Sequence, residues 1–218
     1  MMTMSRSTPT TINPGTRCSD RDEARRLHVH DDIERVLIDR NDIARRVHEL
    51  GQEIARDLTS LQGESGTEGQ GQNIMLVPVL TGSMIFLADL VRHLPHKLRI
   101  GVVSITSYPG KSVQTTGARL EGTIPDDLAG QHVLVIDDIF DSGNTMRLLL
   151  ETLRAQRPAS LRSCVLLRKL REDGRADTAP PDYVGFEIPD EFVVGYGLDY
   201  NDYYRNLPDI AILRREAL

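Results

Sequence analysis

The run Val133-Leu134-Val135-Ile136-Asp137-Asp138-Ile139-Phe140-Asp141-Ser142-Gly143-Asn144-Thr145 constrains this chain more than any other stretch. It opens on branched apolar residues, the pattern of a strand buried on both faces in a sheet covered by helices. Asp137 and Asp138 follow as adjacent carboxylates, Asp141 heads a Ser-Gly-Asn-Thr turn, and Met146 to Leu153 read as a helix. The order is therefore strand, acidic edge, loop of small residues, helix. In an open α/β sheet, ligands bind beyond the carboxyl ends of the strands. Small residues ahead of a helix leave backbone N–H groups available to hold a phosphate, and the helix dipole favours the anion.

The phosphate loop of the Walker type does not occur here, because no G-x-x-x-x-G-K-[ST] is present. The carboxylate pair sets a further condition. Two acids beside a phosphate cradle repel a bare phosphate. They suit a ligand that also carries vicinal hydroxyls, or a metal ion that neutralises the charge. Ribose 5-phosphate has both a phosphate and vicinal hydroxyls. A buried strand followed by an ordinary acidic turn fits the Asp137-Asp138 pair taken alone.

The chain length of 218 residues fits one domain with at most a small appended lobe. The net charge of -6 argues against a nucleic-acid backbone as partner. No apolar run approaches the roughly 20 residues that span a bilayer, so no membrane association is expected. The first residues lack the apolar core of a signal peptide. Cys18 and Cys164 offer neither a disulfide framework nor a metal spacing. A reducing cytoplasm is the expected compartment.

Residues 1–26 are rich in Ser, Thr, Pro, Asn, Arg and Asp without apolar periodicity, and read as a mobile extension of a single domain over 27–218. A short strand is expected at Arg35 to Ile38. Ile43, Val47, Leu50, Ile54 and Leu58 then mark one face of a helix, with Asp39 or Asn41 as its cap. Ser60 to Gln72 reads as an exposed connection. Ile74 to Leu80 is a second strong strand, although Pro78 lacks the donor a central strand uses. Thr81-Gly82-Ser83 and a helix through Met84, Leu87, Leu90 and Val91 repeat the strand–loop–helix order; a second anion cradle and a plain tight turn both fit.

Leu98 to Thr106 reads as one strand, and Ser107 to Gly117 as a long polar loop of the kind that forms functional lids. Beyond the central helix, Leu161 to Leu167 is a strand ending in Arg168-Lys169, and Arg171 to Pro181 is a loop. Tyr183 to Gly197 reads as two short strands about a proline turn. Five of the six tyrosines fall between Tyr183 and Tyr204, which suits a stacking platform, an interface or a local core equally.

From about Ile33 to Leu213 the chain resembles the 6-oxopurine branch of the type I phosphoribosyltransferases, the hypoxanthine-guanine phosphoribosyltransferases. The resemblance rests on Leu80-Thr81-Gly82, Ser107-Tyr108, the central run, and Phe186-Glu187-Ile188-Pro189-Asp190 through Leu198-Asp199-Tyr200-Asn201. It implies an α/β fold with a mostly parallel central sheet and a small hood from about 27–42 and 182–218. It implies a glycosyltransferase of purine salvage. Such an enzyme moves phosphoribosyl from 5-phosphoribosyl-1-pyrophosphate (PRPP) to N9 of hypoxanthine or guanine, giving IMP or GMP and pyrophosphate, with Mg2+ as cofactor. Family members form homodimers or homotetramers.

The resemblance also assigns roles. Asp137 and Asp138 would hold the ribose hydroxyls and contribute to the metal site with Asp199. Asp141, Ser142, Gly143, Asn144 and Thr145 would wrap the 5′-phosphate, and Asp141 would face purine N7 as general base. Lys169 would donate to the 6-oxo group, with Arg168 the neighbouring candidate. Phe192 would stack on the base, Val193 would meet its 2-position, and Asp199 would complete the purine side. Leu80, Thr81, Gly82 and Arg205 would hold pyrophosphate, and Ser107 and Tyr108 would close over the site. Thr81 stands where many relatives carry Lys or Arg, and Asn144 where Lys is frequent. Two other classes fit parts of the chain: a regulator that keeps the fold and binds nucleic acid, and a phosphoryl-accepting receiver domain. The second leaves the tyrosine-rich segment without a role. The sequence does not rank hypoxanthine, guanine and xanthine.

Overall fold

The structure, a computed structural model, describes residues 31–63, 73–106, 119–121, 125–170 and 179–217. Strand β1 (Ile33–Ile38) enters helix α1 (Arg40–Gly63), followed by β2 (Ile74–Leu80), α2 (Met84–Leu90), β3 (Leu98–Ile100), β4 (Val103–Thr106) and β5 (Arg119–Glu121). Then come β6 (His132–Phe140), α3 (Asn144–Arg154), β7 (Ser160–Leu170), β8 (Tyr183–Pro189) and β9 (Ile210–Leu213). The main sheet runs β5-β4-β2-β6-β7-β8, with β3 also paired to β2. All its pairings are parallel except β4 with β5. The separate antiparallel pair β1–β9 joins the start and end of the described chain.

The centre of the sheet explains where a ligand can sit. From β2 the chain moves outward to β3, β4 and β5, then returns to place β6 on the other side of β2. Such a reversal leaves a crevice at the carboxyl ends of the two central strands. β2 is buried along nearly its whole length, and β6 from Val133 to Asp137. Apolar layers cover both faces of the sheet. On one side Ile43, Val47, Leu50, Ile54 and Leu58 of α1 pack with Phe86 and Leu90 of α2. On the other, Met146, Leu149 and Leu153 of α3 meet Val77, Val135 and Val165. Cys164 is a free, buried thiol in the core.

Several boundaries differ from the sequence expectation, each for a local reason. Asp39 caps α1, its Oδ1 accepting from the N–H groups of Asn41 (2.7 Å) and Asp42 (3.1 Å). The helix absorbs Ser60 to Gly63, where Thr59 and Ser60 return their hydroxyls to backbone carbonyls. The rest of that expected connection, 64–72, lies outside the described residues. The strand expected at Leu98 to Thr106 is two, because pairing with β2 stops after Leu76–Ile100 and resumes at Val79–Val103. The gap falls opposite Val77 and Pro78, where proline offers no donor. Within Tyr183 to Gly197 β8 is the one strand, and the second expected there is replaced by isolated bridges, Val194 with Ala211 and Gly195 with Leu198.

Candidate active site

Strands β2 and β6 end side by side, and a cavity of about 320 Å³ opens beyond them. Its walls include Leu80, Thr81 and Gly82 after β2, Asp137 and Asp138 at the end of β6, Thr145 in the first turn of α3, and Asp199 and Arg205 from the C-terminal segment. Three stretches far apart in sequence, 80–82, 137–145 and 199–205, thus deliver acids, a cation, a hydroxyl and a glycine loop to one hollow. The loop is held close. A Cβ on Gly82 would overlap the Asp138 carboxylate, and one on Gly197 would overlap the Gly82 carbonyl oxygen. The Leu80–Thr81 peptide is cis.

Asp137 is buried, and its Oδ1 accepts the Asp138 N–H at 3.0 Å. Asp138 Oδ1 accepts the Ile139 N–H at the same distance. Burial first, and then the charge of Asp138, push the Asp137 carboxyl well above the ordinary carboxylate range. Burial also raises Asp138, while its hydrogen bonds with Asp137 and the backbone, and to a lesser degree the Arg205 guanidinium, pull it back. Arg205 is anchored as a fork. Nη1 donates to the Gly197 carbonyl at 2.8 Å, and Nη2 meets Asp199 Oδ1 at 2.8 Å and Asp202 Oδ1 at 3.1 Å.

The remaining candidates divide. Gly143 takes the left-handed conformation (φ 76°) that starts α3, and Ser142 Oγ accepts from the Asn144 side chain at 3.2 Å. Of the 141–145 loop, Thr145 alone is among the cavity walls. Asp141, at the head of the loop, lies 3.6 Å from Lys169 Nζ at the end of β7. Arg168, facing the other way along the strand, pairs with Glu187 at 3.1 Å. Phe192 is 47% exposed and its ring stands nearly perpendicular to that of Tyr200 at 5.5 Å; Val193 beside it is buried. Lys169, Phe192 and Val193 lie apart from the cavity walls. Ser107 and Tyr108 lie outside the described residues.

The tyrosine cluster is not one platform. Tyr183 donates to Asp57 (2.7 Å), Tyr196 to Asp89 (2.7 Å) and Tyr204 to Asp32 (2.8 Å), each tying the C-terminal half to an earlier element. Sequence reasoning missed Gly197, which faces the Gly82 loop, and Asp190, which pairs with Lys169 at 3.1 Å. Asp190 sat in plain view within the Ile188-Pro189-Asp190 run, but a charge beyond a strand carries no partner in sequence.

Asp137, Asp138 and Asp199 share the cavity, yet among the described residues no three acidic, histidine or cysteine side chains come close enough to hold an ion by themselves. Hard carboxylate oxygens suit magnesium, which commonly keeps waters and takes one or two carboxylates together with substrate oxygens. The donor set fits an ion completed by a polyphosphate substrate, not a closed protein cage.

A parallel sheet whose central strands end in a carboxylate pair and a glycine loop, with a cation closing over both, defines a phosphoribosyltransferase-type domain. The model of the phosphoribosyl transferase domain matches residues 47–201. A hypoxanthine-guanine phosphoribosyltransferase of Mycobacterium avium is 40% identical over 183 residues, covering 84% of this chain and 86% of the relative. The Bacillus subtilis protein of the same description is 37% identical, covering 84% and 94%. Among solved structures, a Trypanosoma cruzi hypoxanthine phosphoribosyl transferase superposes with a TM-score of 0.76 at 34% identity, covering 87% of this chain and 96% of that one. Another from the same organism, complexed with its product IMP, gives 0.74 at 36% identity, covering 87% and 95%. The chain belongs to the phosphoribosyltransferase family, in its hypoxanthine-guanine branch.

Proposed function

We infer that this chain is a purine salvage enzyme that transfers phosphoribosyl from PRPP to N9 of hypoxanthine or guanine, forming IMP or GMP and releasing pyrophosphate. The observation that carries the reading is that Asp137, Asp138 and Thr145 share one cavity with Gly82 and Arg205. A sugar phosphate with vicinal hydroxyls needs the first three, and a leaving pyrophosphate needs the last two.

In this reading Asp137 and Asp138 accept the ribose hydroxyls, and the 141–145 loop receives the 5′-phosphate through Thr145 and backbone N–H groups. Leu80, Thr81 and Gly82 present pyrophosphate with backbone, since Thr81 brings no cation, and Arg205 supplies the charge. As the glycosidic bond lengthens, the sugar becomes oxocarbenium-like. Asp137 and Asp138 stabilise that positive charge across the ring, and Arg205 stabilises the negative charge left on pyrophosphate. The purine lies against the half-exposed ring of Phe192, with Lys169 donating to its 6-oxo group and Val193 at its 2-position. Asp141 takes a proton from the purine or holds it at N7. Magnesium, held by PRPP oxygens with Asp199 and the Asp137-Asp138 pair, would neutralise the pyrophosphate.

We further take β1–β9 with the 190–209 segment as the hood, residues 1–26 as an appended extension, and a homodimer or homotetramer as the assembly. No described helix is long and apolar enough to cross a membrane. A cytoplasmic setting suits the free thiol of Cys164. The test is pyrophosphate release from PRPP with hypoxanthine, guanine, xanthine or adenine, with and without magnesium. Turnover with 6-oxopurines and not adenine is expected. No turnover with any base, together with salt-dependent binding of RNA or DNA, would favour the regulator.

A further inference from the structure

Asp190 follows directly on β8. The register pairs Lys169 with Ile188 and Leu170 with Pro189, so the turn out of β8 starts beside the end of β7. The Lys169 stem is 12% exposed, and its ammonium lies between two carboxylates, each 51% exposed. It is nearer to Asp190 Oδ1, at 3.1 Å, than to Asp141 Oδ2, at 3.6 Å. The turn beyond Asp190 is held by its neighbours. The next residue, Glu191, donates its N–H to the Pro189 carbonyl at 2.8 Å and pairs with Arg35 of β1 at 2.5 Å. Phe192 then meets Tyr200. Each side chain of the 190–192 stretch therefore meets a different part of the chain.

An ammonium has three protons and no lone pair. Between two acids it is drawn to the nearer one. With Asp190 removed, Asp141 becomes the dominant carboxylate, and the ammonium closes onto the oxygen assigned to the purine proton.

We propose that Asp190 is a positioning residue for purine recognition: it holds Lys169 Nζ off Asp141, so that one ammonium proton is directed to the 6-oxo group and Asp141 can meet the base. Asp190 touches no substrate. The inference rests on the roles given above to Lys169 and Asp141.

Steady-state kinetics on the full chain test it, with wild type measured first. A wild type that releases no pyrophosphate from PRPP and hypoxanthine overturns the functional reading and this inference with it. With an active wild type, Asp190→Asn is expected to raise KM for hypoxanthine roughly tenfold, the scale of one charge-assisted contact. KM for PRPP should stay within about twofold, because the sugar site lies apart from the pair. Asp190→Glu should recover most of the loss. An unchanged KM for hypoxanthine in Asp190→Asn overturns the proposal. So does an equal loss for both substrates with a lowered Tm that Asp190→Glu does not restore, since that pattern marks a structural acid.

Discussion

Arg205 reaches Asp199 with a single nitrogen, Nη2 standing 2.8 Å from Oδ1, while its other terminal nitrogen holds the Gly197 carbonyl. The same guanidinium faces Asp138 across the cavity and opposes the rise of its pKa. One residue thus couples the C-terminal segment, the Gly82 loop behind Gly197, and the carboxylate pair of β6. Its position depends on a planar fork that can serve two directions at once, and a point charge has no such fork.

Arg205→Lys should therefore behave as a loss and not as a conservative change. KM for PRPP is expected to rise about tenfold or more, the scale of one bidentate charged contact, with KM for hypoxanthine within about twofold. Initial-rate kinetics with each substrate varied in turn measure both. An unaltered KM for PRPP would dismiss Arg205 as the pyrophosphate cation.

The carboxylate pair predicts a conflict between stability and function. Asp137 is buried with a raised pKa, so its contribution to stability is complete below the unfolded value of 3.8 and is lost as pH rises through the folded value. At neutral pH the ligand-free protein carries that cost. Asp137→Asn keeps the oxygen that accepts the Asp138 N–H and removes the charge. Its Tm in the absence of PRPP is expected to rise by at least about 2–4 °C at pH 7.5, the shift of one kcal/mol in a chain of this size. The gain should shrink as pH falls towards 5. PRPP binding by calorimetry should weaken by at least about tenfold, since a neutral amide accepts ribose hydroxyls less strongly. A Tm unchanged at both pH values would mean that Asp137 bears no electrostatic cost.

Asp57 gives the opposite sign in a different window. Its hydrogen bond from Tyr183 and the Arg162 guanidinium hold its carboxyl below 3.8, despite some desolvation. That stability is present above 3.8 and is lost only as pH falls through the lower folded value. The side chain is 43% exposed, so solvent screening keeps the effect to about 1 kcal/mol or less. Asp57→Asn should lower Tm by about 1–4 °C at pH 7. The difference from wild type should shrink as pH falls below 3.8, as acid melting curves of the two proteins would reveal.

The central run was legible because burial, charge and turn chemistry coincide there. A strand buried on both faces forces helices onto both sides of the sheet, and the acids at its end then have only the crevice to face. The α1 face was equally plain: Ile43, Val47, Leu50, Ile54 and Leu58 all become core. What stayed hidden depends on distance in sequence. Gly197 matters because of the carbonyl it faces, and Asp190 because β7 and β8 are neighbours; neither fact has a local signature. The split of Leu98 to Thr106 follows from Pro78 on another strand. The tyrosines looked alike as a cluster, yet three of them serve as separate ties to Asp57, Asp89 and Asp32.

Gly82 tests the closeness of the two central strand ends. Alanine there sets a Cβ into the Asp138 carboxylate, which must turn away from its present position. Asp138 is fixed by the Ile139 N–H and lies under the field of Arg205, so displacing it disturbs both halves of the proposed PRPP site. Gly82→Ala is expected to cost about 1–3 kcal/mol in stability, the usual range for overpacking, and to weaken PRPP at least about tenfold. Thermal melts and PRPP titration would show both losses. Full PRPP affinity in Gly82→Ala would mean that the loop does not need this approach.

Asp141 differs from buried Asp137 in being half exposed and beside a cation, 3.6 Å from Lys169 Nζ. It heads the proposed phosphate loop beside Lys169, the proposed base reader, where a carboxylate would accept a proton from purine without bearing on the sugar hydroxyls. Asp141→Asn preserves shape and a hydrogen-bond acceptor but cannot take the proton. Turnover is expected to fall about a hundredfold or more, the scale of a general acid–base group, while the dissociation constant for PRPP changes by less than about threefold. Single-turnover kinetics at saturating PRPP separate the two effects. Unchanged turnover would assign the proton to water or to another group and leave Asp141 as a partner of Lys169 alone.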